Sequence, residues 1–219
     1  MAEVHADVKS KVESKKWFYT NEVRKHFFDP QNIFKTEEEA VAYEKEADGV
    51  GMVGSPACGD AMKMWIKVKD DKIDECKWQT FGCASAIAST SMLSVMLTEN
   101  GGMKVAGALE LKPQDIVKRL EGLPTRKFHC SVLGDKALRD AINDYFKKSG
   151  QEDKIIFDGA KIIDKMTKVT DKDIEEAVLE GAITFEDVQK KTKVGIKDKN
   201  CIPEVEQLIR FYREKFFGE

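Results

Sequence analysis

Cys58, Asp60, Cys83, His129 and Cys130 put three thiols, a carboxylate and an imidazole into three short stretches of a chain that holds only five cysteines and three histidines. The stretches are Ser55-Pro56-Ala57-Cys58-Gly59-Asp60, Phe81-Gly82-Cys83 and Phe128-His129-Cys130. Iron and zinc both take thiolate readily, with imidazole and carboxylate as harder supplements, so this set can build a four-ligand site with one alternate. Paired Cys-x-x-Cys knuckles, the usual mark of a preformed zinc site, are absent. An aspartate oxygen matches a soft iron-sulfur unit less well than a fourth thiolate would, which favours a species that can be released. His129 and Cys130 are adjacent and serve one metal together only with poor geometry, which leaves one of them to trade places with Asp60. Taken singly, each residue has a plainer reading: a buried cysteine as a small hydrophobe, Asp60 as a turn residue, His129 as a helix cap. Their coincidence at the ends of elements favours a joint site.

The elements that must position them follow from periodicity. Met62, Met64, Ile66 and Val68 alternate with Lys63, Trp65, Lys67 and Lys69, which predicts a strand, and Asp70-Asp71-Lys72 turns it into a second strand over 73–80. An antiparallel hairpin returns the chain to its starting end, so Cys58 before it and Cys83 after it should be neighbours. A helix through Ala86, Leu93 and Leu97 follows, stopping at Asn100-Gly101-Gly102. The uncharged run Thr80 to Thr98 approaches the length of a membrane span, but its Ser, Thr and small residues predict a buried helix of a soluble protein. Cys83 and Cys130 both stand where a helix begins, and the dipole there favours thiolate.

Elsewhere, residues 1–16 form a polar leader, 17–28 a short docked helix closed by Asp29-Pro30, and 37–46 a charged helix. Asp48-Gly49-Val50-Gly51 is expected to be a flexible approach to the first cysteine. Pro113 opens a helix to about Glu121. From His129-Cys130 a long amphipathic helix carries Leu133, Ala137, Leu138, Ala141, Ile142, Tyr145 and Phe146 on one face. Residues 149–153 are a polar linker, after which Thr170 and Thr184 each offer an N-cap and Pro203 opens a final helix. The fold class is therefore α+β, a small antiparallel sheet packed by helices over 17–149, followed by a small all-helical domain over 150–219.

At 219 residues no disulfide framework is needed, and an odd cysteine count fits free or metal-bound thiols in a reducing compartment. With 36 basic against 39 acidic residues, the net charge of -3 suggests neither a nucleic-acid footprint nor a polybasic membrane patch. The leader lacks the apolar core of a secretion signal, so a cytoplasmic protein is expected.

The motifs from Phe18 to Phe146 resemble the iron-sulfur scaffold family of IscU and the N-terminal domain of NifU: Gly54-Ser55-Pro56-Ala57-Cys58-Gly59-Asp60, Thr80-Phe81-Gly82-Cys83, Ser85-Ala86-Ile87-Ala88-Ser89 and His129-Cys130-Ser131. The resemblance implies a scaffold without turnover chemistry of its own. A labile cluster is assembled on it from iron and from sulfur delivered by a cysteine desulfurase, then passed to apo acceptor proteins. It implies Cys58, Cys83 and Cys130 as sulfur-accepting and ligating thiols, Asp60 as the ligand that aids release, and His129 as an additional or alternate ligand. A two-iron two-sulfur cluster on one chain and a four-iron cluster shared in a homodimer use the same ligands. Lys127 falls on the basic position of the family's Leu-Pro-Pro-Val-Lys motif, which engages a heat-shock ATPase chaperone. The stretch here departs from it, as Leu123-Pro124-Thr125-Arg126-Lys127, and Ala84 stands where a glycine is usual.

Residues 154–215 resemble the middle domain of NifU, a small ferredoxin-like helical module, through 169–174, 184–189 and Cys201-Ile202-Pro203. Members of that group hold a permanent 2Fe-2S cluster on four cysteines. The equivalent positions here are Asp164, Met166, Asp198 and Cys201, so the module is expected to be degenerate. Cys76, in mid-strand, matches no ligand position and is expected to pack. The competing reading is a zinc-binding regulatory or partner-docking module of the same fold, zinc being able to substitute on the same ligands. A zinc hydrolase is disfavoured, because no general base stands near the motifs and three thiolates would blunt a Lewis acid.

Overall fold

The computed structural model describes residues 19–54, 60–124, 127–156 and 160–218, with the backbone alone of His129. The leader, Trp17, Phe18, Ser55 to Gly59, Thr125 and Arg126 lie outside the described residues. Two short helices come first, α1 (Asn21–Phe28) and α2 (Glu37–Glu44), each opened by a threonine, Thr20 and Thr36, whose hydroxyl accepts from a backbone N–H of the first turn. The sheet is β1 (Gly49–Gly54), β2 (Ala61–Lys69), β3 (Lys72–Thr80) and β4 (Met103–Lys104), antiparallel in the order β1-β2-β3-β4.

The predicted hairpin is present: Asp70 and Asp71 join β2 to β3 at φ of 52° and 61°. Two consecutive left-handed residues give the tight turn whose twist matches paired strands. Met62 lies opposite Thr80 at the open end, bringing the chain back beside Asp60. Met62, Met64, Ile66, Cys76 and Trp78 line the face covered by α3 (Ala84–Thr98) and α6 (His129–Lys148). Trp65, expected among lysines on the polar face, is 1% exposed. It packs with Phe34, Ala40, Tyr43 and Ala47, and its ring N–H donates to Glu44 at 3.0 Å. A second, smaller core beneath α2 therefore covers the back of the sheet.

The expected flexible approach at Gly49 to Gly51 is instead the start of β1, an edge strand. Gly49, Gly51 and Gly54 dilute the strand signal, since glycine disfavours strands, and the first two are required by close approach. A Cβ on Gly49 would stand 2.2 Å from the carbonyl oxygen of Ala141, and one on Gly51 2.2 Å from that of Ala137. The strand thus lies directly on α6. Its outward N–H groups are also taken up by that helix: Val50 and Met52 donate to Asp144 and Asp140, each at 2.9 Å. These carboxylates close an edge that would otherwise be open to pairing.

Helix α3 is buried as expected, and most of its serine hydroxyls find partners inside the molecule, whereas the buried Thr90 hydroxyl has none among the described residues. Ser89 donates to the Ser85 carbonyl at 2.7 Å and Ser94 to that of Ser91 at 2.8 Å, while the Ser91 hydroxyl meets the His26 ring at 2.7 Å and accepts the Gln31 N–H at 2.8 Å. Among the described residues no helix is long and apolar enough to cross a membrane. Periodicity missed β4 and α4 (Val105–Glu110), elements of two and six residues, too short to show a repeat. Helix α5 (Pro113–Arg119) follows, opened by its proline.

Beyond α6, the helices α7 (Asp171–Leu179), α8 (Phe185–Thr192) and α9 (Ile202–Phe217) surround a separate core of Ile174, Val178, Val188, Val205 and Ile209. Thr170 and Thr184 cap α7 and α8 as their sequences suggest. Phe128 and Val132, at the start of α6, belong to this second core rather than to the first.

Replacing Gly51 by Ala sets a methyl group against backbone that cannot rotate aside, so β1 and α6 must separate. We expect a loss of about 2–3 kcal/mol, read as a lowered urea midpoint of tryptophan fluorescence.

Candidate metal centre

Three element ends meet at one point. Asp60 leads into β2, Cys83 is the residue on which α3 opens, and Cys130 is the second residue of α6. Ligand atoms of Asp60, Cys83 and Cys130 all lie within 4.8 Å of one another, the spacing needed to grip one ion. The two sulfurs are 3.3 Å apart, and the Cys83 N–H donates to Asp60 Oδ2 at 3.3 Å. Thr80 ties the turn together: its hydroxyl donates to the Ala61 carbonyl at 2.6 Å and accepts the Gly82 N–H at 2.9 Å. At Gly82 a Cβ would come within 2.9 Å of Ala86 Cβ and 3.2 Å of Asp60 Oδ2, so glycine keeps the carboxylate's path open.

The two thiols are made unequal by their surroundings. Cys130 is 1% exposed, whereas Cys83 is half-buried at the start of a helix. The Cys130 thiol bonding to it is the main force holding Cys83 down, to about 5, against the opposing effect of burial. The N–H groups of Ala86 and Ser85 and the charge of Lys127 add to the lowering. Cys130 is driven the other way, first by keeping the proton it donates to Cys83 and then by its burial. One sulfur is therefore a half-buried thiolate and the other its fully buried proton donor.

Of the residues singled out in the sequence, Asp60, Cys83 and Cys130 are brought together. Cys58 lies outside the described residues, as does the His129 side chain, although the His129 backbone opens α6 beside Cys130. Lys127, a partner contact by its place in the motif, also lowers both thiols through its charge. Its signal was its place three residues before Cys130. Cys76 is 1% exposed in the main core, where burial pushes its thiol up to about 12. Phe81, by contrast, is 86% exposed two residues ahead of Cys83, giving the site an apolar rim. A cleft of about 1190 Å³ opens elsewhere, among Leu109 to Gln114, Arg139, Glu175 and Phe216, and holds none of these thiols.

This geometry stands in a chain whose residues 18–152 match the NifU-like N terminal domain. The chain belongs to that family. Residues 167–210 match a second family, the BFD-like (2Fe-2S) binding domain. The iron-sulfur cluster assembly scaffold protein IscU 1 of Archaeoglobus fulgidus is 46% identical over 151 residues, 68% of this chain and 92% of that protein. Another relative, the IscU scaffold protein of Aquifex aeolicus, is 43% identical over 61% of this chain and 79% of its own length. The nitrogen fixation protein NifU of a Nostoc species is 36% identical over 90% of this chain, which spans 65% of that longer protein. In this NifU-like domain the two thiols and the carboxylate converge within one chain.

Because the Cys83 thiol loses its proton near pH 5, its reactive form is fully present above about pH 6 and disappears as pH falls through 5. Iodoacetamide labelling of Cys83, resolved by peptide mass, should be nearly independent of pH between 6.5 and 8, where an ordinary thiol gains rate about tenfold per unit. Cys130 should label far more slowly across that range.

Proposed function

We propose that the chain is a scaffold on which an iron-sulfur cluster is assembled and from which it is handed on. The observation that carries this reading is the convergence of Asp60, Cys83 and Cys130 within 4.8 Å at the open end of a hairpin, in a chain of the NifU-like family. Cys58 and His129 complete the ligand set in this reading, and the cluster is cargo rather than a resident group.

The chemistry follows from the unequal thiols. Cys83, the more accessible of the two and the thiolate, attacks the terminal sulfur of a persulfide on a cysteine desulfurase. The sulfur–sulfur bond of the donor breaks, its thiolate leaves, and Cys83 carries the new persulfide. Ferrous iron is gathered by Asp60 and the deprotonated sulfurs, and binding displaces the proton that Cys130 held. Asp60 offers a hard oxygen to a soft cluster and is the first ligand to yield when an apo acceptor presents thiolates. The charge of Lys127 acts on the thiols, and Lys127 also ends the stretch that a heat-shock ATPase chaperone would engage. Residues 150–219 form, in this reading, a module of their own, docked beside the site. A two-iron cluster fits the ligands of one chain, whereas a four-iron cluster requires two chains.

Anaerobic reconstitution of the metal-free protein with ferrous iron, cysteine, a desulfurase and excess thiol reductant, which supplies the electrons that turn persulfide sulfur into sulfide, should produce sulfide-to-iron charge-transfer absorbance. Folded protein that stays colourless would overturn the scaffold reading. With Asp60→Ala we expect a loaded cluster and a several-fold longer half-time of transfer to an apo-ferredoxin.

A further inference from the structure

A permanent 2Fe-2S cluster in the BFD-like module would need four soft ligands, and the residues present do not fit it. Met166 is 64% exposed and Cys201 is the only thiol. Asp198 accepts the Asn200 N–H at 3.0 Å, and the Cys201 thiol is directed to the Asp198 carbonyl at 3.0 Å. At the remaining position Asp164 is fully buried, yet its carboxylate is fully engaged: Oδ1 accepts the N–H groups of Met166 and Thr167 at 2.8 and 3.0 Å, and Oδ2 accepts that of Gly195 at 2.9 Å. Burial alone would raise this carboxyl, but the backbone donors from Thr167, Gly195 and Met166 outweigh it and hold it at about 2. These donors belong to two loops, the one before α7 and the one before α9. An iron-sulfur cluster is itself an anion that accepts backbone N–H bonds at its sulfurs while tying its ligand loops together.

We infer that the Asp164 carboxylate has taken over the cluster's structural task in this module, bridging the same two loops as a buried anion, so that the module folds without iron. Asp164→Asn keeps the shape but turns an amide donor toward backbone donors. In the metal-free full chain, hydrogen exchange at the Met166, Thr167 and Gly195 amides should rise at least tenfold in this variant. Cys201→Ser should leave iron per chain and the visible spectrum of the reconstituted protein unchanged. Unchanged exchange in Asp164→Asn, or loss of about two irons per chain in Cys201→Ser, would overturn the inference. The exchange measurement needs no cluster, so it stands apart from success or failure of the scaffold reading.

A different observation gives the module a task. Phe128, immediately before His129 and Cys130, has its ring centroid 5.2 Å from that of Phe217 and 6.3 Å from that of Phe216, both at the end of α9. Its carbonyl accepts the Ser131 N–H at 3.0 Å and the Ser131 hydroxyl at 2.7 Å, closing the turn that carries Cys130. The end of α9 is itself held, because Gln114 donates to the carbonyls of Lys215 and Phe216 at 2.6 and 3.1 Å. Glu175 on α7, 3% exposed in its side chain, lies 3.6 Å from Lys136 of α6 and 3.3 Å from Lys215 of α9.

We propose that Phe217, acting through Phe128, is a positioning residue for Cys130, a role that rests on the ligand reading of that thiol. Phe217→Ala should speed alkylation of Cys130 several-fold in the metal-free chain and shorten the half-time of cluster transfer, while Phe217→Leu restores both. Val188→Ala, a truncation on α8 within the same core, should move both less than Phe217→Ala does. Equal effects from Val188→Ala, or no change in Cys130 alkylation with Phe217→Ala, would overturn it. Faster alkylation with unaltered transfer would instead count against Cys130 as a ligand.

Discussion

The approach of β1 to α6 is the constraint on which the rest depends. Backbone lies on backbone at Gly49 and Gly51, with carbonyl oxygens of the helix standing 2.2 Å from where a side chain would begin. Asp140 and Asp144 then fasten the strand's free N–H groups to the same helix. So placed, α6 has its first turn at the open end of the β2–β3 hairpin, and Cys130 meets Cys83 there. The rigid packing of protein interiors makes such a contact a fixed distance rather than a preference.

What that distance supplies is an asymmetry. Two cysteines alike in sequence become a half-buried thiolate and a buried proton donor, because the Cys130 thiol gives its hydrogen bond to Cys83, the N–H groups opening α3 add to the lowering, and Cys130 is enclosed. In the proposed scaffold, acceptance of sulfur and retention of metal ask for different sulfurs, and this inequality supplies both. Asp60 adds a carboxylate oxygen of the opposite chemical hardness at the same point.

Much of this was legible in the chain. Strict alternation from Met62 to Val68 and the Asp70-Asp71 turn specified the hairpin, whose return brings Asp60 beside Cys83, while Cys58, expected there as well, lies outside the described residues. The long apolar face of α6 and the threonine caps of α7 and α8 were equally plain. β1 was not, because its glycines serve a contact with a helix some ninety residues away, which no local pattern encodes. Trp65 misled for a related reason: among lysines it looked solvent-facing, while a second small core waits for it under α2. The charge of Lys127 on the thiols and the hold of α9 on Phe128 are likewise products of distant folding. Asp164 could be recognised in sequence as a lost ligand, but not as a bridge between loops.

That bridge separates two uses of metal that a NifU-like chain with a BFD-like module would otherwise combine. A carboxylate cannot be oxidised away, chelated or starved, so the shape of the module no longer follows the iron status of its surroundings. Only the cargo proposed for Cys83 and Cys130 does. A chain arranged in this way can stand empty and remain ready, its empty and loaded forms differing in what they carry rather than in whether they are folded.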